Sequence, residues 1–269
     1  VANREILINL VRKELKVKYT ASVLGTVWSL LNPVVFLAVF WFVSKVLRGG
    51  VEDYPVFLLA GLLAWNLFSI SMSSGAQSVI SNANLVKKVY FPREILPLAA
   101  VGVTLVDFVL QSAVFFAFLL ILPFGDPYGF TMDLLLLYPI SFLALIVLST
   151  GVAFLVSSLN VRYRDVQHLI GLGVIVWFWL TPIVYSAGTV ADNVPETAWR
   201  VYLLNPIAWI VIGLQGALYH SDDAPRVLAP LTDGQVLAGL GVVLVLGLAF
   251  LYLAWRHFFN ASGDFAEEL

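Results

Sequence analysis

Of the 269 residues, 60% are hydrophobic and 12% charged, and the mean hydropathy is +0.92. Soluble domains carry about a quarter charged residues, so a soluble fold is excluded and a polytopic membrane protein is expected. A net charge of −2 selects no partner class, and the absence of cysteine removes disulfides and thiolate chemistry.

The first element in chain order is a basic amphipathic helix at 4–18. Ile6, Leu7, Leu10, Val11 and Leu15 fall at helical spacing, while Arg4, Glu5, Asn9, Arg12, Lys13 and Lys16 take the other positions. A helix of this kind lies in the plane of a membrane interface. The plainer alternative is a topogenic basic arm. The apolar sequence behind it continues into further spans, so no cleavable leader is expected.

Six spans are predicted within one all-α domain, at 24–46, 55–80, 95–122, 134–158, 169–185 and 236–255. In the first, Trp28, Asn32, Phe36 and Phe40 repeat every four residues and share one helix face. Sugar faces pack well on such rings, so the stripe is a candidate pathway lining; rings facing lipid are the alternative. The second span carries Ser69, Ser71, Ser73, Ser74, Gly75, Gln77 and Ser78 in one half. Small residues there fit close helix packing, with a wetted vestibule as the other reading.

A basic loop follows at 82–97. Asn82 or Asn84 can cap a short helix, because an Asn side chain accepts from orphaned N–H groups. Pro92 ends that helix and suits the first turn of the next. Leu85, Val86 and Tyr90 would fill a hydrophobic socket on a partner, with Lys87, Lys88 and Arg93 beside it. In the third span Asp107 has Thr104 and Gln111 at i−3 and i+4, giving one polar face turned toward the bundle interior. Asp107 is either hydrogen-bonded to a neighbouring helix or part of a transport path.

A second basic loop runs over 160–168 and holds Arg162, Arg164 and Asp165. The fifth span, 17 residues from 169 to 185, is shorter than the ~20 residues a crossing needs. Its Trp177, Phe178 and Trp179 cannot share one face, so they read as lipid and packing residues. The stretch 201–219 reads as a seventh span or, together with a short helix over 195–204, as a re-entrant hairpin. Asn205-Pro206 favours the hairpin, since Asn caps and Pro starts a helix. Fourteen residues from 206 to 219 reach about 21 Å, too short to cross.

Placing both termini inside puts eleven Lys and Arg within and four outside, as the positive-inside rule requires. No phosphate-binding loop with its Lys is present, and His168, His220 and His257 make no metal motif. With Asp107 the only ionisable residue deep in a span, ion coupling is disfavoured, and energy is expected from a partner.

Lys18-Tyr19, Ser22, Leu24-Gly25, Trp28, Leu31 and Pro33, on the approach to the first span, resemble the membrane subunit of type-2 ABC exporters of polysaccharides. Gly61, Trp65 and Asn66, the loop at 82–97, and Arg162-Tyr163-Arg164-Asp165-Val166 with Thr181-Pro182 follow in the family's order, and Leu204-Asn205-Pro206 completes it. Thr20 departs from the basic residue usual at its position. The resemblance implies a non-enzymatic permease in the bacterial inner membrane, closest to O-antigen and teichoic-acid permeases. It implies a homodimer with two copies of a cytosolic ATPase, which would bind ATP and Mg while this chain holds no cofactor. It also implies a lipid-diphosphate-linked polysaccharide cargo and ATPase coupling through the two basic loops. Export of a small drug-like or lipid cargo is the first rival, and a membrane-embedded glycan-modifying enzyme the second.

Overall fold

A computed structural model describes residues 2–20, 53–89, 91–121, 132–219 and 230–269, with 31, 34–36, 38, 39 and 42 as isolated positions. Most of the predicted first span, including Trp28, Asn32 and Phe40, lies outside the described residues, as does Tyr90.

Eleven helices and no strand occur among the described residues. In chain order they are α1 (Ala2–Tyr19), α2 (Tyr54–Ser81), α3 (Ala83–Lys88), α4 (Ile95–Ile121) and α5 (Met132–Arg162). Then come α6 (Val166–Trp179), α7 (Ala187–Asn193), α8 (Glu196–Tyr202), α9 (Pro206–Leu218), α10 (Asp233–Ala261) and α11 (Phe265–Glu268). Helices α2, α4, α5 and α10 are long and apolar enough to cross a bilayer, and α8 with α9 forms a bent pair that passes the same test.

Helix α5 is the hub, packed against α2, α9 and α10, and α1 lies along α4. The α2–α5 seam explains the small residues in the second span. A Cβ on Gly75 would stand 2.7 Å from the Ala153 Cβ, so only glycine lets the two backbones approach this closely. Ser78 and Ser157 share a hydrogen bond of 3.0 Å across the seam, and Asn160 Nδ2 donates to the Ala76 carbonyl at 2.9 Å. Ser73 and Gln77 point outward instead.

Three predicted boundaries change. The helix expected over 169–185 stops at Trp179, and at 14 residues it spans only about 21 Å. Pro182 pushes Thr181 away from helical geometry. Thr181 Oγ1 then donates to the Trp177 carbonyl at 2.8 Å, and Asn205 Nδ2 to that of Leu180 at 3.0 Å. These side chains satisfy carbonyls that a continuing helix would have paired. The helix expected to end at 158 runs on to Arg162, so this arginine closes a helix instead of standing in a loop. The last long helix exceeds 236–255 at both ends, opened by a capping box between Thr232 and Gln235.

Over 195–219, α8 and α9 meet at a bend of 88°. Asn205 caps α9 by accepting from the Ile207 N–H at 3.1 Å, with Pro206 behind it. The turn at Leu203 and Leu204 shares an apolar cavity of about 570 Å³ with Val152 and Leu246, residues well inside α5 and α10. At its other end Tyr219 packs edge-on against Phe57, near the start of α2, with ring centres 5.7 Å apart.

Burial along α1 is uneven. Leu10 is buried, and Leu7, Val11 and Leu15 are half-buried, but Ile6 is exposed and Glu14 joins the inward face.

Candidate functional site

Both basic loops, the start of α1 and the C-terminal helix meet at one end of the bundle, here the basic end. An aromatic and aliphatic cluster underlies it, with Leu10, Val86, Leu96, Phe154, Phe258 and Phe265 among its buried members.

Asn82 occupies the first-cap position of α3, but its side chain does not cap. Its amide donates to the Ser78 carbonyl at 3.0 Å and accepts from Lys13 Nζ at 3.1 Å, tying the end of α2 to α1. At Val89 the chain turns extended, ending the helix before Pro92. The short helix therefore has two distinct sides. Val86, 4% exposed, points into the chain's own core, and Leu85 is half-buried, whereas Lys87 and Lys88 are exposed. Of the predicted socket-filling residues, Val86 is thus already occupied within this chain.

The second basic loop is a tight turn from α5 to α6. Arg162, Tyr163, Arg164 and Asp165 are all exposed, and Asp165 sits at the first-cap position of α6 without a capping bond. Gln77 Nε2 donates to Gln167 Oε1 at 2.6 Å, linking α2 to α6 beside this turn.

Residues that sequence reasoning missed join the two loops. Arg93 donates to the Gly263 carbonyl at 3.3 Å, and Arg162 Nε lies 3.8 Å from Glu268 Oε1. Phe265 is 1% exposed and meets Phe258 edge-on, with ring centres 5.3 Å apart. A cavity of about 280 Å³ lies between Ala83, Asn160, Arg164, Gln167 and Glu268. One signal was available, a lone aromatic in a polar tail.

Asp107 is nearly buried, and Lys18 Nζ stands 2.6 Å from its Oδ2. The rest of the predicted polar face is also engaged. Thr104 and Ser71 hydroxyls share a 2.7 Å hydrogen bond, and Asn66 Nδ2 donates to Gln111 Oε1 at 3.2 Å. Beside the ion pair a second cavity of about 280 Å³ opens between α1, α2 and α4, with Glu14, Gln77 and Thr104 on its walls. Of the predicted aromatic stripe, only Phe36 lies within the described residues, where it is helical and 39% exposed.

Beside the middle of α5 and α10, Asn205 is a junction. Besides capping α9, its Oδ1 accepts from Trp177 Nε1 at 2.9 Å, and its Nδ2 reaches Thr181 Oγ1 at 3.1 Å. Trp177 and Phe178 pack edge-on against Phe68 and Trp65 of α2, while Trp179 is exposed. The packing role expected of the first two holds.

Comparison with known proteins adds to this geometry. The sequence profile described as ABC-2 type transporter matches residues 6–219. An O-antigen export system permease protein RfbA of Klebsiella pneumoniae is 33% identical over 211 residues, covering 77% of this chain and 78% of that protein. The RfbA of Myxococcus xanthus is 31% identical over 269 residues, 99% of this chain and 96% of its own length. Polysialic acid transport protein KpsM of Escherichia coli is 21% identical over 204 residues, 74% of this chain and 75% of its own length.

Proposed function

The chain belongs to the ABC-2 type transporter family, and from that premise we propose that it is the permease of an ATP-driven exporter of a lipid-linked polysaccharide. Members of this family are transport subunits rather than enzymes, with the ATPase on a separate partner, so the glycan-modifying alternative is set aside. Relatives named for O-antigen export and polysialic acid transport support a glycan cargo.

The observation that carries the coupling role is the composite face at the basic end. There α3 offers Lys87 and Lys88 outward while Val86 anchors it inward, and Arg162, Arg164 and Asp165 stand exposed beside it. A short helix anchored on one side and charged on the other can take a push from a docked protein and pass it to α2 and α4. In this reading the ATPase binds ATP and Mg and docks two copies against two copies of this chain.

The dimer reading draws on α6. Leu169, Leu172, Ile175, Val176 and Trp179 are exposed along it, and Gly171 and Gly173 have nothing near them. A second copy laid against this helix would supply the other wall of a shared pathway, toward which Trp28, Asn32, Phe36, Phe40 and Asp107 remain the candidate lining.

The topology reading places the basic end in the cytosol, with α1 running from the interface along α4, both termini inside, and α8–α9 as a re-entrant hairpin entering from outside. Its support is that α1, both basic loops and α11 share one end of the bundle, while the 88° bend lies beside mid-helix residues of α5 and α10. With 24–46, most of it outside the described residues, as the first span, α6 must complete a crossing through the turns that follow it.

Reconstitution tests the reading. The purified chain alone should hydrolyse no ATP above background, and with its ATPase in proteoliposomes it should move a lipid-linked glycan on ATP addition. Turnover by the isolated chain, or transport of small lipids only, would count against it. For topology, cysteines placed at Asn84 and Gly263 should label from the same side and one at Asp192 from the other; all three positions are exposed.

A further inference from the structure

The two basic loops belong to different pairs of long helices, yet the segment after α10 touches both. We propose that Phe265 and Glu268 are positioning residues of the exporter, and that α11 is a strap joining α3 and the α5–α6 turn into one body. A push from the ATPase on either loop then displaces both. This rests on the exporter reading and names the part of the chain that unites its two coupling loops.

Three independent contacts carry the inference. First, Phe265 is 1% exposed, in a polar tail where it has no reason to be buried unless it anchors that tail. It completes the cluster that also seats Val86, the single fully buried side chain of α3. Second, Arg93, at the far end of the first basic loop, donates to the Gly263 carbonyl at 3.3 Å. Third, Arg162 at the end of α5 faces Glu268 at 3.8 Å, and Glu268 also walls the cavity that reaches Ala83 and Arg164.

The division of labour follows from exposure. Arg162 and Glu268 are 67% and 31% exposed, so their attraction is screened and sets direction more than strength. Phe265 supplies the hold, through apolar area and an edge-on ring contact of 5.3 Å with Phe258. Phe258 is in turn stacked edge-on with Phe154 of α5 at 5.4 Å. A continuous path of rings therefore runs from α11 to the helix that carries the second loop.

Cross-linking within the reconstituted complex with its ATPase tests the strap. The chain has no cysteine, so a pair introduced as Ala83→Cys and Leu269→Cys, which line the same cavity, can be bridged by a short bis-maleimide, each thiol adding across one maleimide double bond, with no competing thiol on this chain. In an otherwise unchanged chain, bridging should leave export per ATP within about twofold, because loop and strap travel together. Phe265→Ala should lower export per ATP by about threefold to tenfold while ATP hydrolysis continues. Bridging the same cysteines in Phe265→Ala should bring export back to within about twofold of the parent.

Loss of export on bridging the unmutated strap would overturn the proposal, since the two parts would then need to separate. Export unchanged in Phe265→Ala, or unrescued by the bridge, would overturn it equally. If Phe265→Ala fails to insert, Phe265→Leu takes its place with the same expectations. Should the parent complex export nothing at all, the exporter reading itself fails, and the strap is not what has been refuted.

Discussion

The two ends of the bundle are held by different chemistry. From mid-bundle toward the end opposite the basic loops, neutral side chains make short bonds between neighbouring segments. Asn205 reaches Trp177, Leu180, Thr181 and Ile207, Gln215 Nε2 donates to the Pro182 carbonyl at 2.9 Å, and the Tyr54 hydroxyl donates to that of Val184 at 2.7 Å. At the basic end the ties that join α1, the first loop, the α5–α6 turn and α11 each use a charged side chain at an exposed position, laid over an aromatic cushion. Neutral bonds away from water lose their full value when broken, whereas exposed ion pairs are weak and replaceable. One end is therefore made to keep its shape and the other to be reset.

The largest effect should come from Asn205→Ala. It removes a helix cap worth about 0.5–2 kcal/mol and further hydrogen bonds worth about 1 kcal/mol each, roughly 3 kcal/mol together. Thermal unfolding in detergent should show it, and Asn205→Asp, which keeps the accepting oxygen, should lose clearly less. A loss below about 1 kcal/mol would erase the contrast between the ends.

Next comes Lys18→Ala. Removing one member of a buried pair costs about 3–5 kcal/mol, but Lys18 is 44% exposed and screened, so about 2 kcal/mol is expected. Adding Asp107→Leu should recover much of that loss, because the carboxylate no longer needs a counter-charge. If the double variant is as unstable as the sum of its parts, Asp107 has work beyond this pair, and its place in the transport path gains weight.

Arg162→Ala should be the mildest. At 3.8 Å and largely exposed, its pair with Glu268 contributes below about 1 kcal/mol to unfolding stability. A loss above about 2 kcal/mol would mean that the basic end is as firmly set as the other. The same variant should still change export per ATP, which separates coupling from stability.

How far the sequence spoke depended on range. Helices α2, α4, α5 and α10 were legible because each is a long apolar run with polar punctuation, and Asn205-Pro206 marked a helix start correctly. The polar face of Thr104, Asp107 and Gln111 was also foreseeable, since it needs only the pitch of one helix. What could not be read were partners far along the chain. Lys18 meets Asp107 across 89 positions and Arg93 meets Gly263 across 170, and no local pattern encodes either. Periodicity also failed for the shortest elements. Four residues of α11 are too few to show a repeat, and α3 could not reveal that Val86 turns inward. The early end of α6 was half visible in Pro182, but the side chains that replace its lost hydrogen bonds come from elsewhere.

Helix α9 has a consequence for how the chain is made. Eleven of its 13 residues are buried, and protein surrounds it on every side: Gly213 lies against Ser141 and Leu240, Gly61 against Gln215, and Trp209 against Gly239. Part of that surround is α10, which leaves the ribosome later. The seat of α9 is therefore incomplete while α9 itself is being synthesised, and it closes only when the last long helix arrives. During biogenesis this segment has to wait, neither spanning nor docked, and a chain stopped at residue 232 should leave it open to protease while the finished chain protects it.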